Sequence, residues 1–405
     1  MKRKKRLQTL DRFLDLPGDN TTGDENIGPL AEILGAEIIV ADNCRILKIV
    51  DDIELFPYST LKDINDHLPS DLYQNWHFVT KGDSREYDPA RFLFFDTETT
   101  GLSGGTGMVI FLCGYGYFHQ NCFRTVQYFL PDYPDEPLLL KLASEHLTPD
   151  TVLVTYNGKS FDWPMISQRL TINRMPIPGI ADHLDSLHPA RSLFRRLGED
   201  CSLITLEKRL LAFDRGEDIP GFLIPAKYFD YLYDRQPGKI PEIIRHNRLD
   251  VISLALVTRF IPEVLNRPEM INSASLLEGV IHHLFKNRRF KPMAGYIDRV
   301  TPGYLEECSL TAKLQYSLAL KSLGQLEEAS RIWQSAVSNT DDDKAFGHLL
   351  ELAKYQEHRQ KDVETALETV ELLLGLESTP RRKKELLHRQ KRLINKVSRI
   401  SSKSL

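Results

Sequence analysis

The sequence predicts an α/β domain followed by an all-helical region, and three observations carry that expectation. Phe92, Leu93, Phe94 and Phe95 form a short unbroken apolar run, the signature of a central strand buried on both faces. Further apolar segments at 108–118, 124–130 and 151–155 are interrupted by a helical pattern at 136–147. From about residue 270 the strand signal fades and Leu, Ala, Glu and Gln dominate.

A chain of 405 residues has room for two to three domains, and 41 % hydrophobic with 27 % charged residues is globular composition that excludes a mostly disordered polymer. Residues 1–90 read as an N-terminal extension that is partly β, with runs at 37–40 and 46–50 and a Gly/Asn/Asp-rich stretch near 17–28 expected to be irregular. The strand at 92–95 ends in Asp96-Thr97-Glu98-Thr99-Thr100-Gly101. Segments 108–118 and 124–130 then complete a three-stranded antiparallel meander. The helix at 136–147 has Pro137 in its first turn, and the strand at 151–155 leads to Ser160, the expected N-cap of a helix reaching about Leu170. After a Pro/Gly segment, helices are expected at 203–212, 226–234 and from Pro241 to about Phe260, the last with apolar positions 243, 244, 249, 252, 256 and 260. The α/β domain thus spans 91–265. Helices over 270–378 follow, in which Gly324, Ala329, Trp333 and Ala336 have the spacing of a tetratricopeptide-type hairpin, with a degenerate second copy at 349–374. Residues 379–405 form a basic C-terminal tail.

Net charge is −4, yet residues 1–12 carry +5 and residues 381–405 carry +9, which leaves −18 on the 368 residues between them. Basic ends around an acidic body suit a polyanion-binding protein whose body gathers carboxylates. Five cysteines at 44, 113, 122, 201 and 308 form no close pair, supporting neither a disulfide framework nor structural zinc and pointing to a reducing, cytoplasmic setting. The basic start lacks the apolar core of a secretory signal. The most apolar stretch, 108–118, is far short of the ~20 residues that span a bilayer, so no membrane partner is expected.

Asp96 and Glu98 stand two apart at the end of a buried strand, where period-2 geometry turns both carboxylates to one face. A charge pair there is costly unless a cation compensates it, and a divalent metal is the usual solution. Asp162 falls in the first turn of a helix after Tyr156-Asn157-Gly158-Lys159-Ser160-Phe161. His246 and Asp250, four apart in the long helix, stack on one face. Asp185, before a helix, reads as a cap or turn residue, and His183 and His188 are poorly spaced for a metal.

Together, FFDTETTG, YNGKSFD and HNRLD, in that order on strand, helix start and helix, resemble the three exonuclease motifs of the DEDD (DnaQ-like) exonucleases within the ribonuclease H-like fold. The loop around Asp218-Ile219-Pro220-Gly221 and the attached helices are further similar to the YprB-like ribonuclease H-like proteins. The resemblance implies a mixed sheet flanked by helices, and a metal-dependent 3′–5′ exonuclease acting on DNA or RNA, favouring a single-stranded 3′ end. Asp96, Glu98, Asp162 and Asp250 would then hold two Mg²⁺ or Mn²⁺ ions ~3.5–4 Å apart, and His246 would orient or deprotonate the attacking water. Thr99, Thr100, Gly101, Leu102, Asn157 and Phe161 would approach the terminal nucleotide, and the C-terminal helices would offer a surface to a protein partner. His246 departs from the pattern, combining the His-type side chain with the four-residue spacing of the Tyr-type subfamily. The competing expectation is a catalytically silent adaptor that binds nucleic acid and recruits a protein through its helices.

Overall fold

A computed structural model describes residues 27–53, 87–101, 107–119, 122–198, 200–211, 213–339, 344–376 and 379–401. The basic stretch 1–12, the Gly-rich run at 18–23 and Leu102 lie outside them. The chain divides into two compact units. Of the described residues, the first holds those within 27–53, 90–185 and 211–255, the second those within 87–89, 186–210 and 256–401.

In the first unit seven strands form one mixed sheet: β1 (Glu37–Ala41), β2 (Cys44–Ile53), β3 (Phe92–Thr99), β4 (Ile110–His119), β5 (Cys122–Phe129), β6 (Val152–Thr155) and β7 (Asp182–Asp185). Their order is β1-β2-β5-β4-β3-β6-β7. The pairs from β1 to β3 are antiparallel, whereas β3, β6 and β7 run parallel. The runs at 37–40 and 46–50 are therefore sheet strands, with β2 joined to β5 from Leu47↔Phe129 to Ile53↔Phe123. In β3, Phe92 to Phe95 are all buried, as a strand covered on both faces requires. Phe95 stacks on Tyr115 at 4.9 Å and Phe111 on Tyr228 at 3.9 Å, so aromatic faces fill one side of the sheet.

Helix α1 (Ile27–Leu34) precedes β1, α2 (Glu136–Glu145) joins β5 to β6, α3 (Asp162–Ile172) follows β6 and α4 (Ile240–Asn266) runs out of the first unit. Arg169 of α3 clasps Glu136 of α2 through two bonds of 2.6 and 2.5 Å, both side chains buried, which fixes α3 in its place. In α4 all six expected apolar positions are buried, and so are Asn247, Val251 and Leu254. The helix threads the core rather than lying on it.

Three expectations need correction. The Pro/Gly segment contains β7, whose four residues pair in parallel with β6; its polar sequence hid a strand whose backbone bonds all go to one neighbour. Ser160 does not cap α3: the helix starts at Asp162 after Phe161, and its first turn is closed by Trp163 N–H donating to Gly158 O at 2.9 Å. The helix expected at 203–212 is α-helical over Leu203–Leu206 and continues as a wider π turn over Glu207–Leu211.

In the second unit all regular structure among the described residues from 256 onward is helical. Helices α5 (Leu310–Ser322) and α6 (Leu326–Ser335) form a hairpin about Gly324, with Ala329, Trp333 and Ala336 buried and the Trp333 indole donating to Ser317 Oγ at 2.8 Å. Helices α7 (Ala345–Tyr355), α8 (Val363–Leu376) and α9 (Pro380–Ser401) follow. The basic end of the chain is therefore a folded helix of 22 residues over its described part.

Candidate active site

The end of β3 is buried in alternation, with Thr97 and Thr99 inside and Asp96 and Glu98 partly exposed on the other face, as the D-x-E spacing predicts. The register slips between Glu98 and Thr99, which pair with Leu112 and Ile110 of β4, so a bulge re-aims the strand at the second acid. Thr99 Oγ1 donates to Gly101 O at 2.7 Å, and Thr100 Oγ1 accepts from Val109 N–H at 3.0 Å. Both hydroxyls shape the turn after the strand.

Asp96 is held by a row of side chains across three strands. Asp96 faces Gly114, and Gly114 faces Gln127. Gln127 Nε2 donates to Asn247 Oδ1 at 2.8 Å and to Ile244 O at 2.9 Å, while Asn247 Nδ2 donates to Asp96 Oδ2 at 2.7 Å. A Cβ at position 114 would stand 2.1 Å from Asn247 Oδ1, so only glycine leaves room for this amide. Burial, with the negative charges of Asp250, Asp162 and Glu98, pushes the Asp96 carboxyl well above the usual carboxylate range against the pull of Asn247. Burial and the charges of Asp250, Asp162 and Asp218 raise Glu98 in the same way.

Asp162 is buried at the start of α3, where Thr97 Oγ1 donates to its Oδ1 at 2.5 Å. Burial lifts its carboxyl to about 6, against that hydrogen bond. The turn before it is set by Asp185, at the end of β7, whose oxygens accept from Asn157 N–H at 2.9 Å and Lys159 N–H at 3.1 Å. Asp185 thus anchors a neighbouring turn rather than capping the helix after it. Asn157 takes a left-handed φ of 71°, and a Cβ on Gly158 would meet Thr155 at 2.4 Å. Asn157 is exposed and Phe161 half-buried. His183 bonds Thr155 Oγ1 at 2.9 Å, and burial followed by the charge of Lys159 lowers it to about 4, so it is neutral at pH 7.

Helix α4 brings His246 and Asp250 one turn apart, Nε2 lying 3.5 Å from Asp250 Oδ2. His246 is 5 % exposed, and its Nδ1 faces both oxygens of Asp218 at 3.0 and 3.1 Å. A carboxylate only accepts, so Nδ1 carries the hydrogen and Nε2 is the nitrogen left toward Asp250. Burial works to raise Asp218, but His246 and Arg215 outweigh it and hold the group below its usual range. Arg215, itself buried, donates to Asp218 Oδ2 at 3.0 Å and to Asp250 Oδ1 at 2.5 Å. A neighbouring cleft of about 310 Å³, lined by Asp51, Asp52, Arg215, Arg245, Arg248 and Leu249, balances its cations with aspartates, Arg248 meeting Asp51 at 2.7 Å. It is not a spare cationic track.

All four acids named by the sequence motifs therefore act on one another, and His246 stands beside Asp250. Asp218, Arg215, Asn247, Gln127 and Thr97 were not among the expected site residues. The charged loop 214–218 before Ile219-Pro220-Gly221 carried a signal for two of them, since acids and an arginine crowd a turn next to the motif helix. As they stand, the described residues contain no group of three or more His, Cys, Asp or Glu closed around a metal position. The donor chemistry fits a hard divalent cation, because Asp162 is buried, Asp96 and Glu98 are largely enclosed, and none of the three has a partner cation among the described residues, whereas Asp250 is already paired with Arg215.

Residues 93–261, which carry this site, match the RNase_H superfamily, a class whose nucleases generally use divalent metal ions and which supports a nuclease-type activity on nucleic acid. Over 295 residues the chain is 32 % identical to the uncharacterized protein YprB of Bacillus subtilis (strain 168), covering 72 % of this chain and 71 % of that protein. The chain belongs to the YprB-like family of ribonuclease H-like proteins. The family B DNA polymerase of the hyperthermophilic archaeon Pyrobaculum calidifontis overlaps 52 % of this chain at a TM-score of 0.36 and 17 % identity; the overlap spans 30 % of that polymerase and is too distant to argue from. Among the described residues no helix is long and apolar enough to cross a membrane.

Proposed function

We propose that the protein is a metal-dependent 3′–5′ exonuclease that hydrolyses phosphodiester bonds of DNA or RNA from a single-stranded 3′ end. The observation that carries this reading is the convergence of Asp96, Glu98, Asp162 and Asp250, from three separated segments, into one field of mutually repelling carboxylates. These acids would hold two divalent cations, Mg²⁺ or Mn²⁺, which when bound lower the cost of the charge that builds on the phosphate and on the leaving 3′ oxygen. His246 Nε2 takes a proton from the attacking water while Asp218 holds Nδ1–H and fixes the ring. The water oxygen bonds to phosphorus as the P–O3′ bond breaks, and the leaving 3′ oxygen takes a proton from solvent, so that a nucleoside 5′-monophosphate and a chain shortened by one unit are released. Thr99, Thr100, Gly101, Asn157 and Phe161 approach the terminal nucleotide, the two threonines through the shape of their turn and Phe161 through its ring; Leu102, expected with them from the sequence, lies outside the described residues.

Hydrolysis of 5′-labelled single-stranded DNA and RNA with Mn²⁺, Mg²⁺ or EDTA tests the proposal. A metal-dependent ladder shortening from the 3′ end, absent in Asp96→Ala, is the expected result. One observation favours a second reading, a silent nucleic-acid-binding adaptor: Arg215 already neutralises Asp250. Cleavage that is missing, or indifferent to Asp96→Ala, would move the assignment there.

A further inference from the structure

Helix α9 carries nine Lys and Arg residues and one Glu between Pro380 and Ser401. Its inner side is fully accounted for. Leu386 and Leu393 are buried among residues of α7 and α8. Arg389, Arg392 and Lys396 converge on one carboxylate, Glu357, at 2.6, 2.6 and 2.8 Å, and the Glu357 side chain is wholly buried.

The outer side has no such compensation. Arg381, Lys384, Lys391 and Arg399 recur at intervals of 3, 7 and 8 residues, which on a helix of about 3.6 residues per turn aligns them in a stripe opposite Leu386 and Leu393. Lys383 and Arg382 flank its start, and all six are exposed. Arg381 pairs loosely with Glu385 at 3.8 Å and Arg382 lies over the Phe346 ring, whereas Lys383, Lys384, Lys391 and Arg399 have no ion-pair partner among the described residues. Like charges lined up on one helix face destabilise it, so the stripe is arranged for an external anion rather than for folding.

We propose that this outer face of α9 is a nucleic-acid contact that tracks a phosphate backbone. The inference rests on the nucleic-acid reading above and names a second binding surface for the same polymer. A regularly charged polyanion is the partner that matches a row of cations about 27 Å long, at 1.5 Å per residue from 381 to 399. Anionic lipid fits less well, because the apolar side of the helix is turned inward; Leu387 and Ile394 are exposed beside the stripe, too little apolar surface to seat a helix in a bilayer.

The test measures binding of fluorescein-labelled single-stranded oligonucleotides by anisotropy across a range of NaCl concentrations, in EDTA, with the full chain. A variant combining Lys383→Gln, Lys384→Gln, Lys391→Gln and Arg399→Gln should keep its thermal midpoint and lower the slope of log affinity against log salt by about 3, since each single-strand phosphate contact contributes about 0.7. An unchanged slope in the folded variant overturns the proposal. So does a parent chain that binds no oligonucleotide, or stripe-dependent binding to phosphatidylserine/phosphatidylcholine vesicles in preference to the oligonucleotide. Asp96→Ala separates this inference from the nuclease reading: it should abolish cleavage and leave the salt slope intact. A slope that depends on the stripe in a chain without nuclease activity would keep the contact and discard the catalysis.

Discussion

Asp162 is the residue at which the electrostatics of the site can be measured directly. Its folded carboxyl titrates near 6 against an ordinary value of 3.8, so the folded protein keeps a proton that the unfolded chain has released. Stability therefore falls as pH rises from about 4 through about 6, and at pH 7 the buried charge costs about 3 kcal/mol. Asp96 and Glu98 are raised in the same direction and steepen the fall. Melting in EDTA should show a midpoint that drops between pH 5 and 7.5 by the action of these groups, and Asp162→Asn should flatten it; a variant with the parent's pH profile would show that this carboxylate is solvated. Asp218 is a positioning residue for His246. Asp218→Ala should lower kcat about 10–100-fold with KM little changed, and Asp218→Asn, which still accepts the Nδ1 hydrogen bond, should recover part of it. Equal losses in kcat and KM for the two variants would assign Asp218 to the fold alone.

At the scale of elements, the site depends on three strands and one helix meeting without a gap. Gly114 in β4 is the contact point, since a methyl there would overlap Asn247 Oδ1 and push α4 away from Asp96. Gly114→Ala should destabilise the protein by ~1–3 kcal/mol and release Asp96 from its hydrogen bond. Chemical denaturation reads the first effect, and loss of metal-induced protection in the folded variant reads the second. A neutral Gly114→Ala would mean that the sheet and α4 separate at no cost. The motif HNRLD marked His246 and Asp250 on one helical face, yet its asparagine serves the sheet: Asn247 is fully buried and accepts from Gln127 of β5. Helical spacing identifies neighbours on one helix, and a contact between Asn247 and β5 lies beyond it.

For the whole molecule, the acids of the first unit are expected to couple folding to divalent cations. Mg²⁺ or Mn²⁺ binding to the folded state alone should raise the thermal midpoint with concentration, by about 2.7 kcal/mol at a hundredfold excess over Kd. EDTA should reverse the shift, and Asp96→Ala should abolish it. A midpoint indifferent to both cations, with the parent folded, would favour the adaptor. The charge distribution also belongs to this scale, because the positive C-terminal end is a helix of the second unit whose inward cations are neutralised by Glu357.

The sequence by itself determined the strand at 92–95, the meander after it and the long motif helix, and it put Asp96 with Glu98 on one strand face and His246 with Asp250 on one helical face, because burial on both faces and the 2.0 and 3.6 periodicities are local properties of the chain. The spacing of Gly324, Ala329, Trp333 and Ala336 also marked a helix hairpin with an aromatic between its two helices. Only the tertiary structure decided that β1 and β2 extend the sheet, that the polar stretch 182–185 is a strand, and that Arg215 and Asp218 reach the site from a loop. Each of those rests on a partner distant in sequence: β2 brings β1 into the sheet by pairing with β5, Asp182–Asp185 become a strand because β6 supplies the hydrogen bonds, and Arg215 reaches Asp250 because α4 folds back beside its loop. Pairing across such separations is settled by packing and by the need to satisfy buried backbone and charge, which no window along the sequence contains.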